Sequence, residues 1–223
     1  MKNAQKLIGH TYTNIKLMEV ALTHSSYANE YRLKSNERLE FLGDSVLNII
    51  ISDYIFKRME NVNEGDLTKI RATLVCEQAL DEIAQKISLG SLIRLGRGEE
   101  LMGGRKRASI VSDAFEAVLA SIYLDAGMDA AREWLLTLMM DTIEDVIKGK
   151  RYGDYKTMLQ EKVQRGSIGR VTYEVVNEYG KDHNKTFEVQ VLIDGIPKAK
   201  GKGRSKKEAE QLAAKLCLEK NAI

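Results

Sequence analysis

The spacing of apolar residues changes once along the chain, and that change limits the fold more than any other feature. Up to about position 150 they recur at the three- and four-residue intervals of helices, broken by polar or glycine-containing turns such as NVNEGD (61–66) and SLGS (88–91). Beyond that point VTYEVVNEYG (171–180) and KTFEVQVLIDG (185–195) alternate with the two-residue period of half-buried strands. This puts Tyr173 and Val175, then Phe187, Val189, Val191 and Ile193, on one face. IPKAKGKG (196–203) permits a third strand. Residues 154–164 read as a short helix, and from Ser205 onward Ala209, Leu212, Ala213 and Leu216 fall at helical spacing. The expected architecture is an all-α domain over 1–147, a short basic linker over 148–153, and an α+β domain of α-β-β-β-α order over 154–223. At 223 residues the chain is long enough for two separate cores.

Charge divides at the same place. Residues 1–150 hold 19 Lys and Arg against 22 Asp and Glu, a net −3, whereas residues 151–223 hold 15 against 10, a net +5. A basic C-terminal module suggests a polyanionic partner, although solubility charge alone would give the same balance. No stretch approaches the roughly 18–20 apolar residues of a membrane span, and positions 1–7 lack the apolar segment of a signal peptide, so a cytoplasmic protein without membrane contact is expected. Cys76 and Cys217 show no metal-binding spacing and no sign of a disulfide framework.

The feature that asks for chemistry is NERLEFLGDSVL (36–47), which places Glu37, Glu40 and Asp44 in one sector of a helix about 60° wide. Leu39, Leu42, Val46, Ile49 and Ile50 fill the opposite side, so the acids could simply face water. Against this, Leu47 and Ile51 continue the acidic sector and would also have to be exposed. A helix apolar nearly all round is a buried one, which puts these acids at the mouth of the core. Gly43 fits such a place, because a helical glycine costs about 1 kcal/mol and usually admits a close neighbour. SDAFEAVLASIYLD (112–125) repeats the arrangement: Asp113 and Glu116 lie one turn apart and head a stripe of Ala117, Ala120 and Leu124. Asp113 could be an N-cap with Glu116 closing a capping box, or Ser109 could cap the helix one turn earlier and leave both acids inside it.

If the two helices bring Glu40, Asp44, Asp113 and Glu116 together, each pair at about 4 Å repels by roughly 4 kcal/mol at an effective dielectric near 20. Protons could neutralise them by raising pKa values. A hard divalent cation suits an oxygen-only, histidine-poor site better, and Mg²⁺ so held leaves positions for water and phosphate.

These residues resemble a known family. NERLEFLGDSVL is similar to the signature of bacterial ribonuclease III, GGRKRASIVSDAFEAVLASIYLD (103–125) resembles its second acidic motif, and ALTHSSYANE (21–30) the segment ahead of the signature. The α-β-β-β-α tail resembles the family's double-stranded RNA-binding domain, so the likeness spans nearly the whole chain. It implies a homodimer formed through the N-terminal domain, acting on double-stranded RNA with one catalytic centre per subunit. Mg²⁺, with Mn²⁺ as a possible substitute, would serve as cofactor. Product ends would carry 5′-phosphate and 3′-hydroxyl, and the cellular work would be processing of ribosomal RNA precursors, messenger RNA and other structured RNA.

By the same resemblance Glu40, Asp44, Asp113 and Glu116 match the metal-holding carboxylates, with Asp44 and Glu116 catalytic and Glu116 indispensable. Glu37 matches a further acid near the site, and Glu64 one assigned to substrate or interface contacts; for both, a solvated-surface role is open. His24 is expected to be a buried structural residue and not a general base. In the second domain Gln160 and Glu161 match the RNA-facing side of the first helix and His183 the loop between the first two strands. Arg204, Lys206 and Lys207 match the start of the last helix, where backbone amides and the helix dipole also favour phosphate. The sequence departs from the family at Lys181 and Ala108, where proline is frequent, which touches loop rigidity and not chemistry. Gly103 to Arg107 could grip phosphate or be a plain basic turn. Rival readings are a relative that binds RNA without cutting it and a small-molecule phosphohydrolase. The four acids argue against the first and the basic tail against the second.

Overall fold

The computed structural model describes residues 2–148, 155–166, 169–180 and 185–219. It divides into two compact units, Met1–Arg151 and Tyr152–Ile223. Of the expected linker, residues 149–153 lie outside the described part, as does Lys181.

The first unit is helical: α1 (Lys2–Ile8), α2 (Ile15–Ala21), α3 (Ser25–Tyr31), α4 (Glu37–Arg58), α5 (Glu64–Leu74), α6 (Glu77–Lys86), α7 (Arg97–Leu101) and α8 (Ala108–Ile147), with single 3₁₀ turns at Leu89–Ser91 and Gly104–Lys106. Side-chain caps start several of them. Asn14 accepts from the Lys16 amide ahead of α2, His24 from Ser26 ahead of α3, and Asn63 from Asp66 ahead of α5; each satisfies an amide that the helix leaves unpaired. α8 runs through the middle and packs on α2, α4 and α6. Its residues Phe115, Leu119, Leu135, Met139 and Ile143 are fully buried, together with Leu47, Ile50 and Ile51 of α4. Gly127, at φ 88° and ψ 179°, interrupts α8 and turns its second half.

The burial of Leu47 and Ile51 agrees with the expectation that the acidic sector of α4 leads into the core. In the opposite sector Leu39, Val46 and Ile50 are buried as expected, but Ile49 is 54% exposed, and Phe41 and Phe56, at 78% and 69%, are exposed as well. α4 is thus clasped by its own chain along one side and presents a second apolar stripe outward. Leu124, expected to continue the buried stripe of Ala117 and Ala120, is half exposed because it precedes the break at Gly127. The start of α8 also differs. Arg107 is its N-cap, without a side-chain cap bond, so neither Ser109 nor Asp113 caps it, and both acids sit inside the helix.

The second unit consists of α9 (Tyr155–Arg165), β1 (Val171–Tyr179), β2 (Thr186–Ile193), β3 (Ile196–Gly203) and α10 (Lys206–Glu219). Its antiparallel sheet has the order β1-β2-β3. The β2–β3 hairpin closes on the pair Ile193–Ile196 through Asp194 and Gly195, both at positive φ as a two-residue primed turn requires. α9 and α10 cover one face, burying Leu159, Val163, Val171, Val191, Ile193, Ala199, Ala213, Ala214 and Cys217. Val175 is exposed, not inward with Tyr173, because β1 is an edge strand whose far half no helix covers and whose register shifts between Val175 and Asn177. Leu212 is likewise only partly covered, while Ala209 and Ala213 beside it are buried.

Candidate active site

The site begins with a glycine. α4 and α8 cross at Gly43, and a Cβ placed there would overlap the backbone carbonyl of Glu116. Only glycine lets the helices approach so closely, and the approach brings the acids on either side of the crossing into electrostatic reach. Glu116 is the most affected. Burial, and after it the charges of Asp44, Asp113 and Glu40, push its carboxyl up to about 8. Glu40 is raised by burial, then by Asp113 and Glu37. Asp113 is raised by burial and by Glu77, against lowering contributions from His24 and a hydrogen bond with Ser112. Asp44 is exposed, its Oδ1 accepting from Asn48 Nδ2 at 2.8 Å. Glu37 is exposed at the first turn of α4 and accepts from Ser35 Oγ at 2.6 Å.

The structure therefore draws Glu40, Asp44, Asp113 and Glu116 into one anionic neighbourhood with Glu37 at its edge. Among the described residues no three His, Cys, Asp or Glu side chains form a closed metal cage; the acids are coupled through their charges while standing apart, as like charges favour. In donor chemistry they fit a hard divalent cation: oxygen only, excess negative charge, and one member, Glu116, pushed toward its neutral form by burial and then by its neighbours.

Glu64 lies on neither helix of this crossing. It opens α5, accepts from Thr68 Oγ1 at 3.1 Å, and lines a groove of about 420 Å³ with Ile49, Ser52, Phe56, Leu67 and Arg71, beside the outward apolar stripe of α4. The Gly103–Arg107 loop is largely committed to structure. Arg105 donates through Nη1 to the carbonyls of Gly90, Ser91 and Ile93 and pairs with Glu100 at 2.6 Å, and Arg107 pairs with Glu99 at 2.7 Å.

Two neighbours of the acids were not legible as such in the sequence. Glu77 opens α6, far in sequence from either motif, and no spacing rule links it to Asp113. His24 is half-buried, not buried as expected. Its Nδ1 accepts from the Ser26 amide at 3.2 Å, while Thr23 and Arg94 form an isolated parallel bridge and the Asn36 amide ahead of α4 donates to Thr23 O at 2.8 Å.

In the second unit Gln160 and Glu161 are half-buried on α9, and Glu161 pairs with Arg165. Arg204, Lys206 and Lys207 are exposed around the start of α10. Ser205 caps that helix, its Oγ accepting from the Glu208 amide at 3.2 Å, while Glu208 accepts from the Arg204 amide at 2.7 Å. His183 lies outside the described residues. Among the described residues no helix is long and apolar enough to cross a membrane.

An all-helical unit with paired acids at a helix crossing, followed by a basic α-β-β-β-α unit, fits the class of a ribonuclease carrying an RNA-binding module. Comparison with known proteins agrees. Residues 14–143 match the ribonuclease-III-like family model and residues 155–221 the double-stranded RNA binding motif. Ribonuclease 3 of Caldanaerobacter subterraneus subsp. tengcongensis is 50% identical over 98% of this chain and 97% of its own length, and that of a Geobacillus species 46% over 98% and 90%. The nuclease domain of ribonuclease III from Campylobacter jejuni, described for flexibility in the region involved in its dimer formation, has a TM-score of 0.60 and 37% identity, covering 63% of this chain and 96% of that domain. The chain belongs to the ribonuclease III family.

Proposed function

We propose that the chain is a homodimeric, divalent-metal-dependent endoribonuclease that hydrolyses phosphodiesters on both strands of duplex RNA and leaves 5′-phosphate and 3′-hydroxyl ends. The observation that carries this reading is the charge coupling at the Gly43–Glu116 crossing, where three acids and burial together raise Glu116 to about 8. A protein keeps so unfavourable a cluster when its compensation is functional.

Glu40, Asp44, Asp113 and Glu116 would hold Mg²⁺, or Mn²⁺ in its place, which when bound would supply positive charge to stabilise the negative charge that develops on the oxygens around phosphorus. Glu116 and Asp44 are the residues at the reacting centre. Glu116 is half-buried, its backbone held against Gly43 of α4. Asp44, open to solvent and steadied by Asn48, faces the side from which water and RNA arrive. Glu37, one helical turn from Glu40, adds its negative charge at the edge of the site. Glu64 serves contacts at the subunit interface or with substrate. That interface would be the outward stripe of Phe41, Ile49 and Phe56, an apolar surface a monomer would leave wet.

The second unit would grip duplex RNA through Gln160 and Glu161 on α9, His183 in the β1–β2 loop, and Arg204, Lys206 and Lys207 at the start of α10. Such a module reads the shape and 2′-hydroxyls of A-form RNA with little sequence preference. The expected setting is the cytoplasm, with ribosomal RNA precursors, messenger RNA and structured transcripts as substrates. The test is to incubate the chain with duplex RNA, single-stranded RNA and duplex DNA, with and without Mg²⁺, and to analyse product ends. Metal-dependent cutting confined to duplex RNA, with 5′-phosphate ends, is the expected result; metal-independent cutting, or none, would refute the reading.

A further inference from the structure

Lys206 is exposed, yet it does not hang free. It is the first residue of α10, and its Nζ stands 3.6 Å from Glu178 Oε1 and 5.6 Å from the centroid of the Phe187 ring. Glu178 and Phe187 are directly paired across β1 and β2, so both side chains rise from the same spot on the sheet. One cross-strand pair thus supplies a carboxylate and an aromatic face to an ammonium that belongs to another element. Lys185 at 3.8 Å holds the same carboxylate from the other side.

The Lys206 and Glu178 side chains are 58% and 41% exposed, and such an ion pair adds little to stability. Its effect falls on position. A lysine ammonium rides a flexible four-carbon stem and has three donors; one directed at Glu178 leaves others for a phosphate. A cation on a free stem can follow the phosphates of any duplex, whereas a clamped one suits only a duplex whose backbone spacing fits it. The major groove is deep and narrow in A-form RNA and about 12 Å wide in B-form DNA, so phosphates facing each other across it are spaced differently.

We propose that Glu178 is a specificity-determining residue: by clamping Lys206 at the start of α10 it sets how strongly the module prefers duplex RNA to duplex DNA. This inference rests on the duplex-RNA reading of the second unit. As a negative charge beside the binding face Glu178 also weakens attraction to every polyanion, RNA and DNA alike, so the ratio of the two affinities, and not either alone, reports the clamp.

The experiment compares the full chain with its Glu178→Gln variant in EDTA, where nothing is cut, on RNA and DNA duplexes of about 25 base pairs, longer than the roughly 16 such a module spans. Glu178→Gln is expected to lower the RNA-to-DNA affinity ratio at least about threefold, in keeping with the loss of one exposed ion pair. In a Lys206→Met background the same change is expected to leave the ratio where Lys206→Met alone put it, as a shared pathway requires. A ratio unchanged by Glu178→Gln while both affinities rise in parallel would overturn the clamp and leave the duplex-RNA reading intact. A wild-type chain with no preference for RNA would overturn both.

Discussion

Gly43 on α4 stands against the backbone carbonyl of Glu116 on α8 with no room between them for a methyl group. What must yield to a side chain is backbone, not the tip of a flexible residue. Gly43→Ala is therefore expected to destabilise the first unit by about 1–3 kcal/mol of overpacking, despite the roughly 1 kcal/mol by which alanine is the better helix former. Because the change spreads the acids apart, cleavage should fall further than duplex binding does. Thermal unfolding, with turnover and binding measured separately, checks both.

The raised carboxyl of Glu116 makes the metal-free protein sensitive to pH. Its folded value, about 8, lies above the ordinary 4.5, so the folded state binds the proton more tightly than the unfolded one. The associated stability is fully present below about pH 4.5 and is lost as pH rises through 8. Over that window the wild-type chain in EDTA should lose up to a few kcal/mol relative to Glu116→Gln, which has no titrating group at that position. Denaturant unfolding of both at pH 5, 7 and 9 tests this; parallel curves would contradict it. Added Mg²⁺ should flatten the wild-type dependence.

Arg105 separates the two readings of the Gly103–Arg107 loop. It satisfies three backbone carbonyls and Glu100 at once, so Arg105→Ala should cost roughly 2–4 kcal/mol by leaving those acceptors unpaired. Lys106→Ala should cost under about 0.5 kcal/mol, as an exposed substitution does. A loss of RNA affinity from Arg105→Ala without loss of stability would return the loop to a phosphate-gripping role.

The outward stripe of α4 predicts the assembly. Phe41 and Phe56 are more than two-thirds exposed, so replacing either with Asp should leave the fold of the subunit intact while converting a dimer to monomers in sedimentation analysis. A wild-type chain that sediments as a monomer at micromolar concentration would remove that interface.

Much of this is legible in the sequence alone. Hydrophobic period separated the two units and set their element order, since a period of 3.6 and a period of 2 cannot be satisfied by one secondary structure. Glu40 and Asp44, and Asp113 and Glu116, were visible as pairs at helical spacing. What period cannot tell is which apolar stripe faces the chain's own core and which waits for something else: Ile49 reads as buried by pattern and is exposed in fact. Nor can it foresee a start like that of α8, where Arg107 precedes the helix without capping it and Ser109 is already inside. Glu77 and His24 reach Asp113 from other elements, through tertiary packing that leaves no local trace, and the clamp on Lys206 depends on the β1–β2 register, which pairs Glu178 with Phe187.

The most direct measurement is cleavage of a long duplex RNA in Mg²⁺ by the wild-type chain and by Glu116→Gln, with binding of the same RNA measured in EDTA. If the acids at the α4–α8 crossing do the chemistry, cutting should fall by about 10³-fold or more, the scale of losing a group that acts at the transition state, while binding stays within about twofold. Undiminished cutting by Glu116→Gln would contradict the account.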